Sequence, residues 1–277
     1  MRILLLFLFM VMVTPLLSQS LKVMTYNIRY DNKNDGVNQW VNRKEKVADL
    51  IRQNNPDLIG VQEALLHQLK DLIQLLPDYT YYGVGREDGK EKGEFSAILV
   101  RHSRFGVLLD STFWLSPTPL VAGSKGWDAA LPRIATWTKL YDKETKKELF
   151  YINTHFDHIG VQARINSAAA MNAYLTHLYE GKPIPLIMTG DLNVERTTEA
   201  YKAITDSKLL LDSKPADNNE PTACGFDVAN TKCTGIDYIL HSKETTVKRY
   251  AVLHDNDGKY YPSDHLAVIA ELEFAKE

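Results

Sequence analysis

The chain has little cysteine, no excess charge of one sign and no serine nucleophile motif, and each shortage removes a class of function. Only Cys224 and Cys233 occur in 277 residues, with no second Cys/His pair at ligand spacing, so a thiolate-built zinc site and a disulfide-dense scaffold are both excluded. The two cysteines either stay as thiols or, in an oxidising compartment, close a small loop. Lys and Arg total 32 against 35 Asp and Glu, a formal net charge of -3, so the broad basic field used for sequence-independent nucleic-acid binding is missing. No Gly-x-Ser-x-Gly elbow is present to present a serine nucleophile. Internal repeats, low-complexity tracts and Pro/Gly/Ser-rich linkers are also lacking, and hydrophobic residues at 44% suffice for one large core.

Long apolar runs are absent as well, apart from the first residues. Arg2, the apolar stretch Ile3 to Val13, Pro15 and then Ser18-Gln19-Ser20 follow the order of a secretory signal peptide. This stretch falls short of the ~20 residues a bilayer span needs, so an uncleaved anchor is the lesser alternative. The leader lacks cysteine, which excludes a lipid-modified one. The expectation is a signal peptide at 1–20, one domain at 21–277, and a monomer exported to the periplasm or secreted.

Alternating and β-branched segments predict strands at 21–28, 57–61, 79–84, 95–100, 105–115, 133–141, 148–153, 186–189, 236–240, 246–253 and 265–274. Apolar residues at helical spacing predict helices at 41–53, 64–76 and 161–179. The last would bury Ile165, Ala168, Ala169, Leu175 and Leu178 and end at a Gly181 cap. Strands outnumber helices and are often neighbours in sequence, which favours an α+β layered sandwich over a doubly wound parallel sheet.

Polar residues recur where an apolar strand runs into a loop. Asn27, Glu63, His155 with Asp157, and Asp191 with Asn193 each stand at such a point, Asp237 lies within a strand, and Asp264-His265 precedes one. Any single instance reads more readily as turn chemistry. Together they supply hard oxygen ligands and imidazoles without thiolates, which suits Mg²⁺, Mn²⁺ or Ca²⁺. Phosphoryl transfer needs such a set: a cation to neutralise phosphate, a carboxylate or base to orient water, and donors for the phosphoryl oxygens. His155 and His158 as zinc ligands are a minority alternative.

Thr25-Tyr26-Asn27-Ile28-Arg29, Val61-Gln62-Glu63, Asn153-Thr154-His155-Phe156-Asp157-His158, Thr189-Gly190-Asp191-Leu192-Asn193, Ile236-Asp237-Tyr238 and Ser263-Asp264-His265 together resemble the endonuclease/exonuclease/phosphatase superfamily, in its order and over nearly the whole of 21–277. The resemblance implies a DNase I-like four-layer α/β/β/α sandwich, two mainly antiparallel sheets flanked by helices, with one active site where the sheets meet. It also implies residue roles. Glu63 would be the main metal ligand, helped by Asn27 and Asp264. Asp191 would hold or activate water, and Asn193 would bond phosphate. His265 would contact phosphate or act as general base, oriented by Asp237, and His155 would be a second imidazole at the phosphate. Glu94 and Arg133 match more loosely, as a support for His155 and a phosphate contact. Asp157, His158 and Arg164 resemble a motif of a bacterial branch, where they either surround the pocket or anchor the following helix. Trp127, in the loop 122–130, is a candidate for the cleft rim.

These implications make the chain an exported divalent-metal-dependent hydrolase of phosphate esters, acting as a phosphomonoesterase or phosphodiesterase. A secreted DNA or RNA nuclease is the alternative, disfavoured by the charge balance. A sphingomyelinase-like lipid phosphodiesterase and a catalytically silent binding domain rank lower. The second is opposed by the presence of Glu63, Asp191, Asn193, Asp237 and His265.

Overall fold

The computed structural model describes residues 20–179 and 184–275. All of the leader but Ser20, and Gly181, therefore lie outside the described residues. In chain order the elements are β1 (Leu21–Asn27), a 3-10 helix (Lys33–Asn38), α1 (Trp40–Asn54), β2 (Leu58–Ala64), α2 (Leu66–Leu75), β3 (Tyr79–Tyr82), β4 (Phe95–Arg101), β5 (Phe105–Trp114), β6 (Ile134–Asp142) and β7 (Glu148–His155). After these come α3 (Val161–Tyr179), β8 (Leu186–Asp191), α4 (Glu199–Thr205), β9 (Leu211–Asp212), β10 (Asp237–His241), β11 (Thr245–Val252) and β12 (Val268–Phe274).

The strands form two six-stranded sheets, β11-β12-β1-β2-β4-β3 and β5-β6-β7-β8-β10-β9. Each is antiparallel except at its centre, where β1 runs parallel to β2 and β7 to β8. A parallel neighbour requires a crossover, and α1 and α3 supply it on the outer faces. The result is the four-layer sandwich expected from the motifs.

Period-two alternation sorts the side chains into three cores. In β1, Leu21 and Val23 face the other sheet with Leu58, Ile98, Tyr151, Ile187, Ile239 and Val268, whereas Met24 and Tyr26 pack under α1 and α2. In the second sheet Phe150, Ile152, Met188 and Leu240 pack under α3 and α4. The same alternation directs Asn27, His155, Asp191 and Asp237 towards the space between the sheets.

Several boundaries differ from the sequence expectation. Strand β2 continues through Gln62-Glu63, and β12 starts at Val268, leaving His265 in the preceding loop. Helix α3 buries Ala163, Ser167, Ala168, Met171 and Leu175, while Ala169 is exposed. Its run of alanines offers almost no contrast between faces, so spacing alone misassigned the stripe. The two-turn α4 and the 3-10 helix are too short to leave a periodic signal. Cys224 and Cys233 are joined in a disulfide.

Candidate active site

The strand registers build the site. His155 of β7 pairs with Asp191 of β8, and Asp191 pairs with Asp237 of β10, so three neighbouring strands present these side chains in one row. Facing them from the other sheet is Asn27, which pairs with Gln62 of β2. Strict alternation would aim the next residue, Glu63, at the helix layer. A register shift between Val61 and Ala64 and a left-handed backbone at Glu63, φ 62°, turn its carboxylate to Asn27 instead.

Beneath this row lies a buried polar layer joining the sheets. Asn153 donates to Val61 O at 2.9 Å and Ala97 O at 2.8 Å, and accepts from Gln62 Nε2 at 2.6 Å and Thr189 Oγ1 at 3.1 Å. Gln62 also donates to Thr25 Oγ1 at 3.0 Å. Every hydrogen-bonding position of the Asn153 amide is used, which locks the register shift that turns Glu63.

Asp191 is the hub. Its Oδ1 accepts the Asn193 backbone N–H at 2.9 Å, and its Oδ2 accepts Asn27 Nδ2 at 3.0 Å. The same Oδ2 lies 3.5 Å from His155 Nε2 and 3.8 Å from His265 Nε2. The Asn27 Nδ2 donates again to Glu63 Oε1 at 3.1 Å, so this amide bridges the two carboxylates. Its Oδ1 accepts the Arg29 N–H at 3.0 Å, and ligation of a cation through that oxygen requires the amide to turn over. The second histidine, His265, is set by Asp237, whose Oδ2 accepts from Nδ1 at 2.9 Å. Ser263 Oγ donates to Asn27 O at 2.7 Å, and buried Arg43 bonds to Arg29 O at 2.7 Å and Pro262 O at 3.3 Å, fastening the 262–265 loop beside β1.

Their surroundings drive the proton affinities of the two imidazoles in opposite directions. Burial lowers the proton affinity of His265, but the carboxylates of Asp237, Asp191 and Asp264 outweigh it and keep the ring well above the ordinary histidine range. Burial and the positive charges of Arg133 and Arg86 hold His155 well below that range. Asn193 Nδ2 is 3.1 Å from His155 Nε2 and donates to Phe156 O, also at 3.1 Å, which leaves the His155 Nε2 as an acceptor. Burial, reinforced by Asp237 and opposed by His265, pushes the Asp191 carboxyl up to about 7.

Above this floor is a cavity of about 370 Å³ lined by, among others, Glu63, Glu94, Arg133, Asp191, Asp264 and His265. Arg29, which sequence reasoning did not single out, reaches into it with φ 57°, 3.9 Å from Glu63 and 3.7 Å from Asp264. The two carboxylates therefore converge on one cationic position. Asp191, Asp237 and His265 also form a tight group with ligating atoms within 4.8 Å of one another. Because Asp237 and His265 already spend facing atoms on their own hydrogen bond, Glu63 and Asp264 are the better-placed ligands. Their hard oxygens, without sulfur, suit Mg²⁺, Mn²⁺ or Ca²⁺.

The remaining candidates divide. His158 and Leu131 line the cavity; Asp157, Arg164 and Trp127 do not. Asp157 accepts the N–H groups of Ile159 at 3.0 Å and Gly160 at 2.7 Å and faces Arg133 Nε at 3.3 Å, while Arg164 donates to its backbone carbonyl at 2.9 Å. These two residues hold the start of α3 and orient Arg133. Arg133 Nη2 lies 2.9 Å from His158 Nδ1, and its Nη1 is buried without a protein partner. Glu94 does not touch His155 through a hydrogen bond; it takes both Arg86 nitrogens at 2.6 and 2.7 Å. Arg29 and Arg86 carried no strand-end signal, although Arg29 closes the first motif.

A model of the endonuclease/exonuclease/phosphatase family matches residues 24–265. The structure resembles an endonuclease/exonuclease/phosphatase family protein of Bacteroides thetaiotaomicron with 40% identity over 93% of this chain and 99% of that one, TM-score 0.88. It also resembles a mannosyl-6-phosphatase of the same organism, with 41% identity over 92% of this chain and 100% of that one, TM-score 0.86. Nocturnin of Rattus norvegicus is 25% identical over 269 residues, covering 86% of this chain. The chain spans 60% of the length of the rat and mouse Nocturnins it matches.

Proposed function

The chain belongs to the endonuclease/exonuclease/phosphatase family, and from that premise we propose that it is a hydrolase of phosphoric esters, an exported, divalent-metal-dependent phosphatase acting on phosphate monoesters carried by a sugar. The observation that carries the reading is the position of Asp191, one buried carboxylate hydrogen-bonded to Asn27 and 3.5 and 3.8 Å from the His155 and His265 rings, on the floor of the cavity. A cavity of about 370 Å³ takes a phosphate and one ring, and the 41% identity to a mannosyl-6-phosphatase supports a sugar ester.

Glu63 and Asp264, with Asn27 beside them, would hold the cation, which supplies charge neutralisation at the phosphoryl oxygens. Asp191 orients the attacking water and accepts its proton; burial has raised its carboxyl into a range where it can do so near neutrality. The imidazolium of His265, kept charged by Asp237, faces the phosphoryl oxygens and Arg133 offers its spare Nη1, while the Asn193 amide, already bonded to Phe156 O and His155 Nε2, can reach a phosphoryl oxygen only by giving up one of these partners. The P–O bond to the sugar breaks as the P–O bond to water forms; the departing sugar oxygen takes a proton from the His265 imidazolium, Asp191 returns the water's proton to that ring, and the sugar alcohol and inorganic phosphate leave. Export is supported by the leader at 1–20 and by the Cys224–Cys233 bond.

The test measures inorganic phosphate from mannose 6-phosphate, p-nitrophenol from bis(p-nitrophenyl) phosphate and acid-soluble nucleotides from DNA, each with Mg²⁺, Mn²⁺ or chelator. Turnover of the sugar monoester that chelator and Glu63→Ala each remove is the expected result. Cleavage of DNA or the diester with none of the monoester would replace this reading with a nuclease or phosphodiesterase.

A further inference from the structure

Exposed apolar side chains occur on two loops that each send one residue, Leu131 or His158, into the cavity wall. Leu120 is 88% exposed, Ile159 63% and Trp127 43%, and Val121, Leu131 and Val161 are exposed as well. They belong to two segments, 116–131 and 157–163, that are fastened together. Asp128 accepts the N–H groups of Gln162 at 3.2 Å and Ala163 at 2.6 Å, capping α3, and both Leu131 N–H and Ile159 N–H bond to Asp157.

The first segment is also continuous with the cleft at both ends. Leu131 lines the cavity directly. At the other end Trp114, which precedes the segment, donates to Arg86 O at 2.7 Å, and Arg86 holds Glu94 in the cavity wall. Within it Trp127 has φ 52°, a left-handed conformation costly for a bulky residue, and the residue remains exposed. A turn from Gly126 O to Ala129 N, 2.9 Å, sustains that geometry. Backbone strain spent on exposing an aromatic ring is characteristic of ligand clamps.

We propose that Trp127, Leu131 and Ile159 form a platform for the sugar that bears the scissile phosphate and for the residue glycosidically attached to it, with the ring C–H face laid on Trp127. The proposal rests on the sugar-phosphate reading above and extends it to a substrate larger than a single hexose. The platform adjoins the phosphate site through Leu131, as a leaving-group subsite must, and it has one rigid aromatic ring among aliphatics. A bilayer surface would call for flanking cations, whereas the segment 116–131 carries Lys125 against Asp128.

The experiment is saturation-transfer NMR of a mannose disaccharide on the whole protein, with phosphate release from mannose 6-phosphate measured on the same sample and sedimentation with phosphatidylcholine vesicles alongside. Transfer to the sugar ring protons in the wild type, weakened roughly tenfold in Trp127→Ala and retained in Trp127→Phe, is the expected outcome. No transfer in the wild type, transfer indifferent to Trp127→Ala, or loss of that transfer with partition onto vesicles would overturn the platform. Sugar contact is read without turnover, so absence of phosphate release on the same sample counts against the catalytic reading alone.

Discussion

Replacing Asn153 with leucine tests whether the polar layer between the sheets holds the site in register. The side chain is fully buried and makes four hydrogen bonds, but their loss is unequal. Gln62 Nε2 keeps Thr25 Oγ1 at 3.0 Å, and Thr189 Oγ1 keeps Tyr151 OH at 3.0 Å. The carbonyls of Val61 and Ala97 lose the donor that spans from the opposite sheet. Each buried carbonyl left unpaired costs about 1–3 kcal/mol, so Asn153→Leu should lose roughly 2–6 kcal/mol before the small gain from burying leucine. At about 2–4 °C per kcal/mol for a domain of this size, Tm should fall by about 4–24 °C. Circular dichroism melts and urea titrations measure this directly. Activity in the surviving folded fraction should fall as well, because Val61 begins the register shift that turns Glu63. A Tm within about 2 °C of wild type would refute the reasoning.

Asp237→Asn keeps a hydrogen-bonding group but removes the charge that sustains the His265 imidazolium. Charge-assisted bonds contribute about 1.5–3 kcal/mol, so kcat should drop about 10- to 100-fold while the melt stays near wild type; an unchanged kcat removes Asp237 from the mechanism. Chelator should abolish phosphate release and Mg²⁺ or Mn²⁺ restore it. Metal at about 100 times its Kd should also add ~2.7 kcal/mol of stability, visible as a higher Tm that Glu63→Ala does not show. Burial holds His241 below its ordinary value of 6.5, so the folded state binds its proton less readily than the unfolded chain. Its contribution to stability is therefore present above about pH 7 and is lost as pH falls through 6.5. The urea-derived stability gap between wild type and His241→Gln should shrink between pH 8 and 5.5, and a constant gap would contradict this assignment.

Much of the site was legible because strand periodicity and the polar stops coincide. Asn27, His155 and Asp191 end their strands in the sequence and share one face in the structure, and Asp237 begins β10 opposite Asp191. The two parallel central pairs were not legible, since neighbouring strands in sequence suggest hairpins and pairing across a crossover leaves no local mark. Arg29 escaped notice because an arginine after a strand reads as solvent-facing, and only the convergence of Glu63 and Asp264 gives it a partner. Arg86 was missed for the same reason, its partner Glu94 lying across a loop. Asp157 and Arg164 shared a motif with His158, yet only His158 reaches the cavity, because the N–H groups at the start of α3 claim the Asp157 carboxylate.

The division of the site between the two sheets has a kinetic corollary. Asn27 and Glu63 come from one half of the sandwich, His155, Asp191 and Asp237 from the other, and residues as far apart as Asn27 and Asp191 must meet before any of them is competent. Such distant pairings close late, after local helices have formed. During refolding, far-ultraviolet signal from α1 and α3 should recover first, and turnover only when the sheets dock. Turnover in this fold is thus a reporter of completed assembly, and a chain whose two sheets have not docked has no assembled site.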